Sequence, residues 1–163
     1  MDNILKIVKY PDKILREPSL RVSKITEKEI KLFQDMLLTM RNFSGIGLAA
    51  PQVGINQRLI VVEVDGGILK LANPEVIKAQ GKEQMEEGCL SAPGVLVNVE
   101  RPYEIIVRAL NEENKIIEIS AKGLLARAIL HEIDHLNGKT IIDYMTLLKK
   151  LRFNLTNKLK RRG

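Results

Sequence analysis

Apolar residues recur at helical spacing in the first quarter of the chain. Thr26 and Glu29 have the spacing of a capping box, which marks a helix N-terminus. Apolar side chains follow at intervals of three or four residues, at Ile30, Phe33, Leu37 and Met40. This pattern predicts an amphipathic helix that begins after Thr26 and ends near Asn42.

The middle of the chain changes to the composition of strands. Residues 58–64, 95–99 and 103–110 are rich in Val and Ile, which favour extended backbone. The polar run 111–114 is typical of a turn and leads into another apolar segment, 115–120. We therefore expect a β-hairpin between residues 103 and 120.

Helical spacing returns at Gly123. Leu124, Ala128, His131 and His135 fall on one stripe, and Asn137-Gly138 predicts the C-terminal stop. A last helix is predicted from residue 145 to about 160, and its apolar face is expected to pack on the domain. That face consists of Leu148, Leu151, Leu155 and Leu159.

The order of these elements predicts the fold class. A helix, several strands and then two helices, without regular alternation, favour α+β over a parallel sheet. We expect antiparallel strands packed around a central helix that carries both histidines, followed by a C-terminal helix. A chain of 163 residues with 45% hydrophobic content suits one catalytic domain over 1–163, with a basic helix at 145–162 packed on it.

Composition narrows the cellular setting. The N-terminal residues carry charges every few positions, unlike a secretory signal, and no apolar run is long enough for a membrane span. The single cysteine, Cys89, suits a reducing compartment. We therefore predict a cytoplasmic location and no membrane partner. The net charge of +6 favours contact with polyanions but names no function.

The motif His131-Glu132-Ile133-Asp134-His135 predicts a metal site. Residues four apart share one face of a helix, so both imidazoles can bind one ion, and Glu132 lies beside it to manage the proton of a water molecule. A catalytic site usually has three protein ligands and one open position. The third ligand is either Asp143, the one acidic residue after His135, or Cys89, which lies between Gly88 and a turn-like stretch, 91–94.

These two candidates lead to different functions. Asp143 would give a zincin-like metallopeptidase. Cys89 with two histidines suits Zn²⁺ or Fe²⁺. A third possibility is a basic ribosome- or RNA-binding module with a structural metal that is closed to water.

Another segment has candidate catalytic chemistry. Residues 45–54 are rich in glycine and small side chains, which let backbone approach a ligand closely. Gln52 lies near the end of this run, and its amide can donate to a developing oxyanion. A phosphate-binding loop is disfavoured, because no Lys-Ser/Thr pair follows.

Three motifs together resemble those of bacterial peptide deformylases, in the same order and at similar spacing. They are Gly45-Ile46-Gly47-Leu48-Ala49-Ala50-Pro51-Gln52, Glu87-Gly88-Cys89-Leu90-Ser91 and His131-Glu132-Ile133-Asp134-His135-Leu136-Asn137-Gly138. The residue before the first histidine, often Gln in that family, is Leu130 here. The resemblance implies a hydrolase that removes the formyl group from N-formyl-methionyl nascent polypeptides and releases formate.

The resemblance also implies roles for individual residues. Cys89, His131 and His135 would hold one divalent metal, with Fe²⁺ expected as the native ion and Zn²⁺, Ni²⁺ or Co²⁺ as possible substitutes. Glu132 would be the general acid/base. Gln52 and the Leu90 backbone N–H would stabilise the oxyanion.

The substrate methionine requires an apolar slot. Helical geometry places Leu124, Arg127 and Ala128 on the face that carries His131, and the resemblance adds Ile46, Gly47 and Gly88. We expect Arg127 to line the rim of the slot with its charge in water. Candidates to orient the metal ligands from behind are Glu87, Arg101 and Asp134.

The C-terminal region is strongly basic. Between residues 144 and 163 there are seven Lys or Arg residues and no acid: Lys149, Lys150, Arg152, Lys158, Lys160, Arg161 and Arg162. Such a run is often a solvated face. The resemblance implies docking on ribosomal RNA or protein. A helix at a membrane surface is disfavoured, because the leucine stripe is expected to pack on the domain.

Overall fold

The computed structural model describes residues 1–162, which form three α-helices and seven β-strands. The helices are α1 (Glu27–Asn42), α2 (Gly123–Leu136) and α3 (Leu147–Arg162). The strands are β1 (Gly47–Ala49), β2 (Leu59–Val64), β3 (Gly67–Gln80), β4 (Glu83–Cys89), β5 (Ala92–Arg101), β6 (Glu104–Leu110) and β7 (Ile116–Lys122). Short 3-10 helices span Lys13–Arg16, Ala50–Val53 and Ile141–Tyr144.

The strands form two antiparallel sheets. One has five strands in the order β1-β2-β3-β6-β7, and the other consists of β4 and β5 alone. Alternate residues of β2 are buried on opposite faces of the large sheet: Ile60 and Val62 pack with α2, whereas Leu59 and Val61 pack with α1. The predicted α+β class and antiparallel arrangement are therefore confirmed.

Both predicted helices before the C-terminal segment are present. The capping box of Thr26 and Glu29 is formed, and α1 ends at Asn42 as the pattern predicts. The end of α2 is at Leu136, where the N–H of Gly138 donates to the carbonyl of His135 over 3.1 Å. Gly138 has a φ of +73°, which favours glycine at this stop.

Helix α2 presents different faces to its two neighbours. Ala126, Ile129 and Ile133 are buried against the large sheet. The face with His131 and His135 turns towards β4, where His131 contacts Glu87 and His135 contacts Cys89. This arrangement brings side chains from a late helix to a hairpin from the middle of the chain.

The strand boundaries in the middle of the chain differ from the prediction. Strands β3 and β4 were not predicted, because β3 has largely exposed ends and β4 contains three glutamates. The turn expected over residues 91–94 is shorter. It consists of Leu90 and Ser91, and Ala92 already pairs with Cys89 at the start of β5.

The leucine stripe of α3 does not pack on the domain, so that prediction is wrong. The exposed fractions are 61% for Leu148, 52% for Leu151, 62% for Leu155 and 72% for Leu159. Helix α3 instead contacts the rest through Phe153, whose ring centroid lies 5.7 Å from that of Tyr10, and through Lys149, which donates to the Leu96 carbonyl. Helical periodicity places Phe153 nearly opposite the leucines.

No helix within residues 1–162 is long and apolar enough to cross a membrane.

Candidate metal centre

Three potential metal ligands converge from two elements. Cys89 is the last residue of β4, and His131 and His135 lie one turn apart on α2. The ligand atoms of the three side chains all lie within 4.8 Å of one another. The Nε2 atom of His135 is 3.3 Å from the Cys89 sulfur and 3.3 Å from the His131 Nε2.

The two distances from His135 Nε2 agree with those around a tetrahedral ion. Bonds of about 2.0–2.1 Å to nitrogen and about 2.3 Å to sulfur, at tetrahedral angles, separate the ligand atoms by about 3.3–3.6 Å. The donor set of one thiolate and two imidazoles also suits Zn²⁺ or Fe²⁺. The residues therefore form a possible metal site, with both geometry and chemistry in agreement.

Glu87 orients one of the histidines. Its Oε1 accepts a hydrogen bond from His131 Nδ1 over 2.9 Å. The proton on Nδ1 leaves Nε2 free to coordinate, which is the usual arrangement behind a metal-bound histidine. Arg101 holds Glu87 in turn through two hydrogen bonds of 2.7 and 2.9 Å.

The network extends from Arg101 to the end of the 3-10 helix at Ile141–Tyr144. Arg101 also donates to Asp134 over 2.9 Å, and the Tyr144 hydroxyl donates to the same carboxylate oxygen over 2.6 Å. Of the three residues predicted to orient the ligands, Glu87 contacts a histidine directly. Asp134 and Arg101 act on it only through this chain of bonds.

Burial and pairing set the charges in this network. Burial favours neutral Glu87, but the hydrogen bonds from His131 and Arg101 prevail and lower its pKa to about 2. Burial and the hydrogen bond to Asp134 raise the pKa of Tyr144 to about 12. Burial also lowers the pKa of His135, and the adjacent His131 adds to that effect.

The low pKa of Glu87 predicts a pH-dependent stability. The pKa of Glu87 in the folded protein, about 2, lies below the ordinary 4.5. The carboxylate's contribution to the free energy of unfolding is therefore complete above pH 4.5 and is lost as pH falls towards 2. The shift corresponds to about 3 kcal/mol of unfolding free energy. Denaturant titrations of the metal-free proteins should show that the parent has a higher free energy of unfolding than Glu87→Gln above pH 4.5. This difference should shrink as pH falls from 4.5 towards 2. A constant difference would contradict the assignment.

Glu132 is enclosed beside the metal ligands. Its side chain is 3% exposed, and Oε2 has no hydrogen-bond partner among residues 1–162. Burial raises its pKa to about 7, although the positive charges of His131 and Arg101 act in the opposite direction. A carboxyl group that titrates near neutral pH can both accept and return a proton.

Gly47 makes room for this carboxylate. A Cβ atom on Gly47 would overlap Glu132 Oε1 and stand only 3.0 Å from Cγ and Cδ of the same side chain. The close approach explains why the position at the start of β1 carries no side chain. Gly47 therefore has a role beyond the substrate contact predicted for it.

We expect Gly47→Ala to lower the rate of formate release from a formyl-Met peptide by about 100-fold, because a displacement near 1 Å of a reacting group has that order of effect. The metal ligands are not in the overlap, so metal content should equal that of the parent. Unchanged turnover in a folded, metal-loaded Gly47→Ala protein would show that Glu132 tolerates the extra methyl group.

Gln52 and Leu90 border the ligands on the other side. Gln52 is 1% exposed, and its Oε1 accepts a hydrogen bond from the Ala49 N–H over 2.9 Å. This bond directs Nε2 towards Cys89, whose sulfur is 3.5 Å away, and towards the Ser91 hydroxyl at 3.2 Å. Leu90 follows Cys89 directly in the two-residue turn.

A pocket of about 600 Å³ opens next to these groups. Its walls include all six residues predicted to bind substrate, namely Ile46, Gly47, Gly88, Leu124, Arg127 and Ala128. Cys89, His131 and Glu132 also line it, so the pocket reaches the metal ligands. The sequence prediction missed other apolar members of the wall, such as Phe43 and Met85.

The expected orientation of Arg127 is wrong. Its side chain is 4% exposed, so its charge does not reach water. The guanidinium donates to Glu87 Oε2 over 2.6 Å and to the carbonyls of Val99 and Glu83 over 2.9 and 2.6 Å. A buried carboxylate and two backbone carbonyls give the charge a better environment than the rim would.

Asp143 is not placed to be a metal ligand. Its carboxylate pairs with Arg16 at 2.6 Å and accepts from the Thr140 N–H, which caps the 3-10 helix at Ile141–Tyr144. The candidate ligand group consists of Cys89, His131 and His135. The arrangement therefore disfavours a zincin-like peptidase.

A largely buried Cys-His-His group beside an enclosed glutamate, open to a pocket, defines the class of metal-dependent hydrolases. The model of the family "Polypeptide deformylase" matches residues 4–151. A peptide deformylase of Hydrogenovibrio crunogenus is 50% identical over 151 residues, which cover 91% of this chain and 89% of the relative. A peptide deformylase of Thermodesulfovibrio yellowstonii is 45% identical, with coverage of 97% and 99%.

Solved structures agree with the sequence comparisons. The crystal structure of an Ehrlichia chaffeensis peptide deformylase in complex with actinonin has a TM-score of 0.93 and 37% identity, and 99% of each chain is covered.

The chain belongs to the polypeptide deformylase family. The predicted activity, hydrolytic removal of the N-formyl group from nascent polypeptides, is confirmed over the two alternatives.

Proposed function

We propose that this deformylase holds its metal on Cys89, His131 and His135 and uses Glu132 as general acid/base. The observation that carries this proposal is the convergence of three ligand atoms, all within 4.8 Å of one another, beside an open pocket. Three protein ligands leave one position for water and substrate.

Glu132 moves the proton during hydrolysis. When bound, the metal supplies Lewis acidity that lowers the pKa of water towards neutrality and polarises the formyl carbonyl. Glu132 takes a proton from the attacking water on its free Oε2 and returns it to the amine nitrogen as the C–N bond breaks. Burial, which raises the pKa of Glu132, helps the carboxyl group to hold the proton between these two steps.

Gln52 and Leu90 stabilise the negative charge that develops on the formyl oxygen. The Gln52 amide is fixed by its bond to the Ala49 N–H, so little reorganisation is required during the reaction. The Leu90 N–H lies in the turn that follows Cys89 and provides a second donor. Loss of one such donor typically costs about 10²–10³ in kcat.

The pocket accommodates the methionine side chain and the first peptide bonds. Leu124 and Ala128 provide apolar wall on α2. Ile46 and Gly47 lie at β1, which is an edge strand of the large sheet, and Gly88 lies on β4. An extended peptide can donate and accept backbone hydrogen bonds along such edges.

The native ion is proposed to be Fe²⁺, with Zn²⁺, Ni²⁺ or Co²⁺ as substitutes, because one thiolate and two imidazoles suit all of these ions. The test is formate release from a formyl-Met peptide after anaerobic reconstitution with each metal in turn. We expect turnover with at least Fe²⁺. No release with any of the four ions would overturn the proposed mechanism.

Helix α3 is proposed to dock on the ribosome, in the cytoplasm where nascent chains emerge. The exposed leucines and seven basic residues with no acid give it a surface suited to both ribosomal protein and RNA. Replacement of Arg152, Lys158, Lys160 and Arg162 by Gln should abolish co-sedimentation with ribosomes. Equal co-sedimentation of parent and variant would exclude a charge-dependent contact.

A further inference from the structure

The two halves of the metal site belong to elements that do not share a sheet. Cys89 is carried by the β4–β5 pair, and the pairing of described strands does not join this pair to the five-stranded sheet. His131 and His135 are carried by α2, which packs on the large sheet. Backbone ladders therefore do not set the sulfur-to-nitrogen distances, and side-chain contacts between the two halves contribute to them.

Arg127 connects the two halves. It lies on α2 four residues before His131, on the same face of the helix. Its guanidinium reaches both strands of the pair, because it donates to Glu87 Oε2 and the Glu83 carbonyl on β4 and to the Val99 carbonyl on β5. One buried side chain thus fixes the hairpin against the helix by three hydrogen bonds.

The contact with Glu87 places this connection close to the ligands. Glu87 is two residues before Cys89 on β4 and accepts the Nδ1 proton of His131. A shift of Glu87 would therefore move the sulfur ligand and turn one imidazole at the same time. The burial of Arg127, with 4% of its surface exposed, keeps water from replacing these bonds.

A second connection lies at the other end of the histidine pair. Arg101 on β5 donates to Asp134 on α2 over 2.9 Å and also holds Glu87. Arg127 and Arg101 thus bracket His131 along the helix. The bonds from Arg101 are expected to keep the β4–β5 pair on α2 when Arg127 is replaced. An Arg127 variant then reports on the positions of the metal ligands and not on loss of the fold.

We propose that Arg127 is a positioning residue, which holds the β4–β5 pair against α2 so that Cys89 and the two histidines stand at coordinating distance before metal binds. This inference rests on the proposed metal site but assigns Arg127 no contact with the metal or the reacting atoms. Arg127 is therefore both a member of the pocket wall and a structural link between the ligands.

The test is the metal affinity of Arg127→Met, measured by chelator competition with Zn²⁺ and Co²⁺. We expect affinity to fall by about 10–100-fold, the usual effect of removing a partner that orients metal ligands. Arg127→Lys retains the charge but cannot reach all three acceptors, so an intermediate loss is expected. The Co²⁺ absorption spectrum should change in both variants, because ligand geometry at the ion changes.

A matched control separates positioning from general destabilisation. Phe33→Leu removes volume from the buried face of α1, so it should lower the unfolding midpoint while leaving metal affinity at the parent value. If both Arg127 variants bind metal with the affinity of the parent, the positioning role is overturned, but the proposed metal site is not. If Arg127→Met does not fold, parent affinity in Arg127→Lys overturns the positioning role. A parent that binds no metal would overturn the proposed metal site as well.

Discussion

Glu132→Gln should lower formate release by about 10³-fold at saturating metal, within the usual range for loss of a general acid/base. Glutamine has nearly the same shape as glutamate but cannot take a proton from water or return one to the amine. Glu132 is buried, and an uncharged amide of the same shape fits that position. The fold and the metal ligands should therefore be unaffected.

The control for Glu132→Gln is its metal content. The variant should bind one equivalent of metal with the parent's affinity, because Glu132 is not among the three candidate ligands. Turnover that remains within tenfold of the parent would assign the proton transfer to another group. Loss of both metal and activity would leave the role of Glu132 in catalysis unsupported.

Cys89→Ala should remove the metal. The change deletes the one sulfur ligand and leaves two imidazoles, so we expect affinity to fall by more than about 100-fold, beyond the cost of removing an orienting partner. Formate release should fall in parallel at ordinary metal concentrations. The measurement is metal bound per protein after equilibration with a chelator.

Asp143→Asn is the matched control for Cys89→Ala. Asp143 was the alternative third ligand, but its carboxylate pairs with Arg16 and caps a 3-10 helix. Its replacement should weaken the fold locally and leave metal content unchanged. The opposite pattern, with metal retained in Cys89→Ala and lost in Asp143→Asn, would restore the peptidase alternative.

The parts of the fold that the sequence predicted depend on local patterns. The capping box at Thr26 and the apolar spacing that follows define α1, and the Asn137-Gly138 stop defines the end of α2. The HExxH pattern requires only helical geometry to bring His131 and His135 together. For that reason the metal-binding face could be predicted before the fold was known.

The errors concern features that depend on distant parts of the chain. Strand β4 is rich in glutamate and forms because β5 pairs with it, which no local pattern reveals. Arg127 was expected in water because its partners, Glu87 and two carbonyls, come from other strands. The leucines of α3 have the periodicity of a packed face, but periodicity does not show whether a partner surface exists.

Two residues that the prediction missed, Met85 in the pocket wall and Tyr144 in the hydrogen-bond network, differ in how far the sequence reveals them. Met85 and Glu87 stand two apart in β4, so recognition of that strand would have placed both on one face near the slot. Tyr144 has no comparable pattern, since its hydroxyl meets Asp134 only through the turn between α2 and α3.

X-ray absorption at the metal edge of the reconstituted parent tests the central claim most directly. The expected result is one sulfur at about 2.3 Å, two nitrogens at about 2.0–2.1 Å and at least one further oxygen from water. Absence of a sulfur neighbour, or a fourth protein ligand in place of water, would contradict the proposed site.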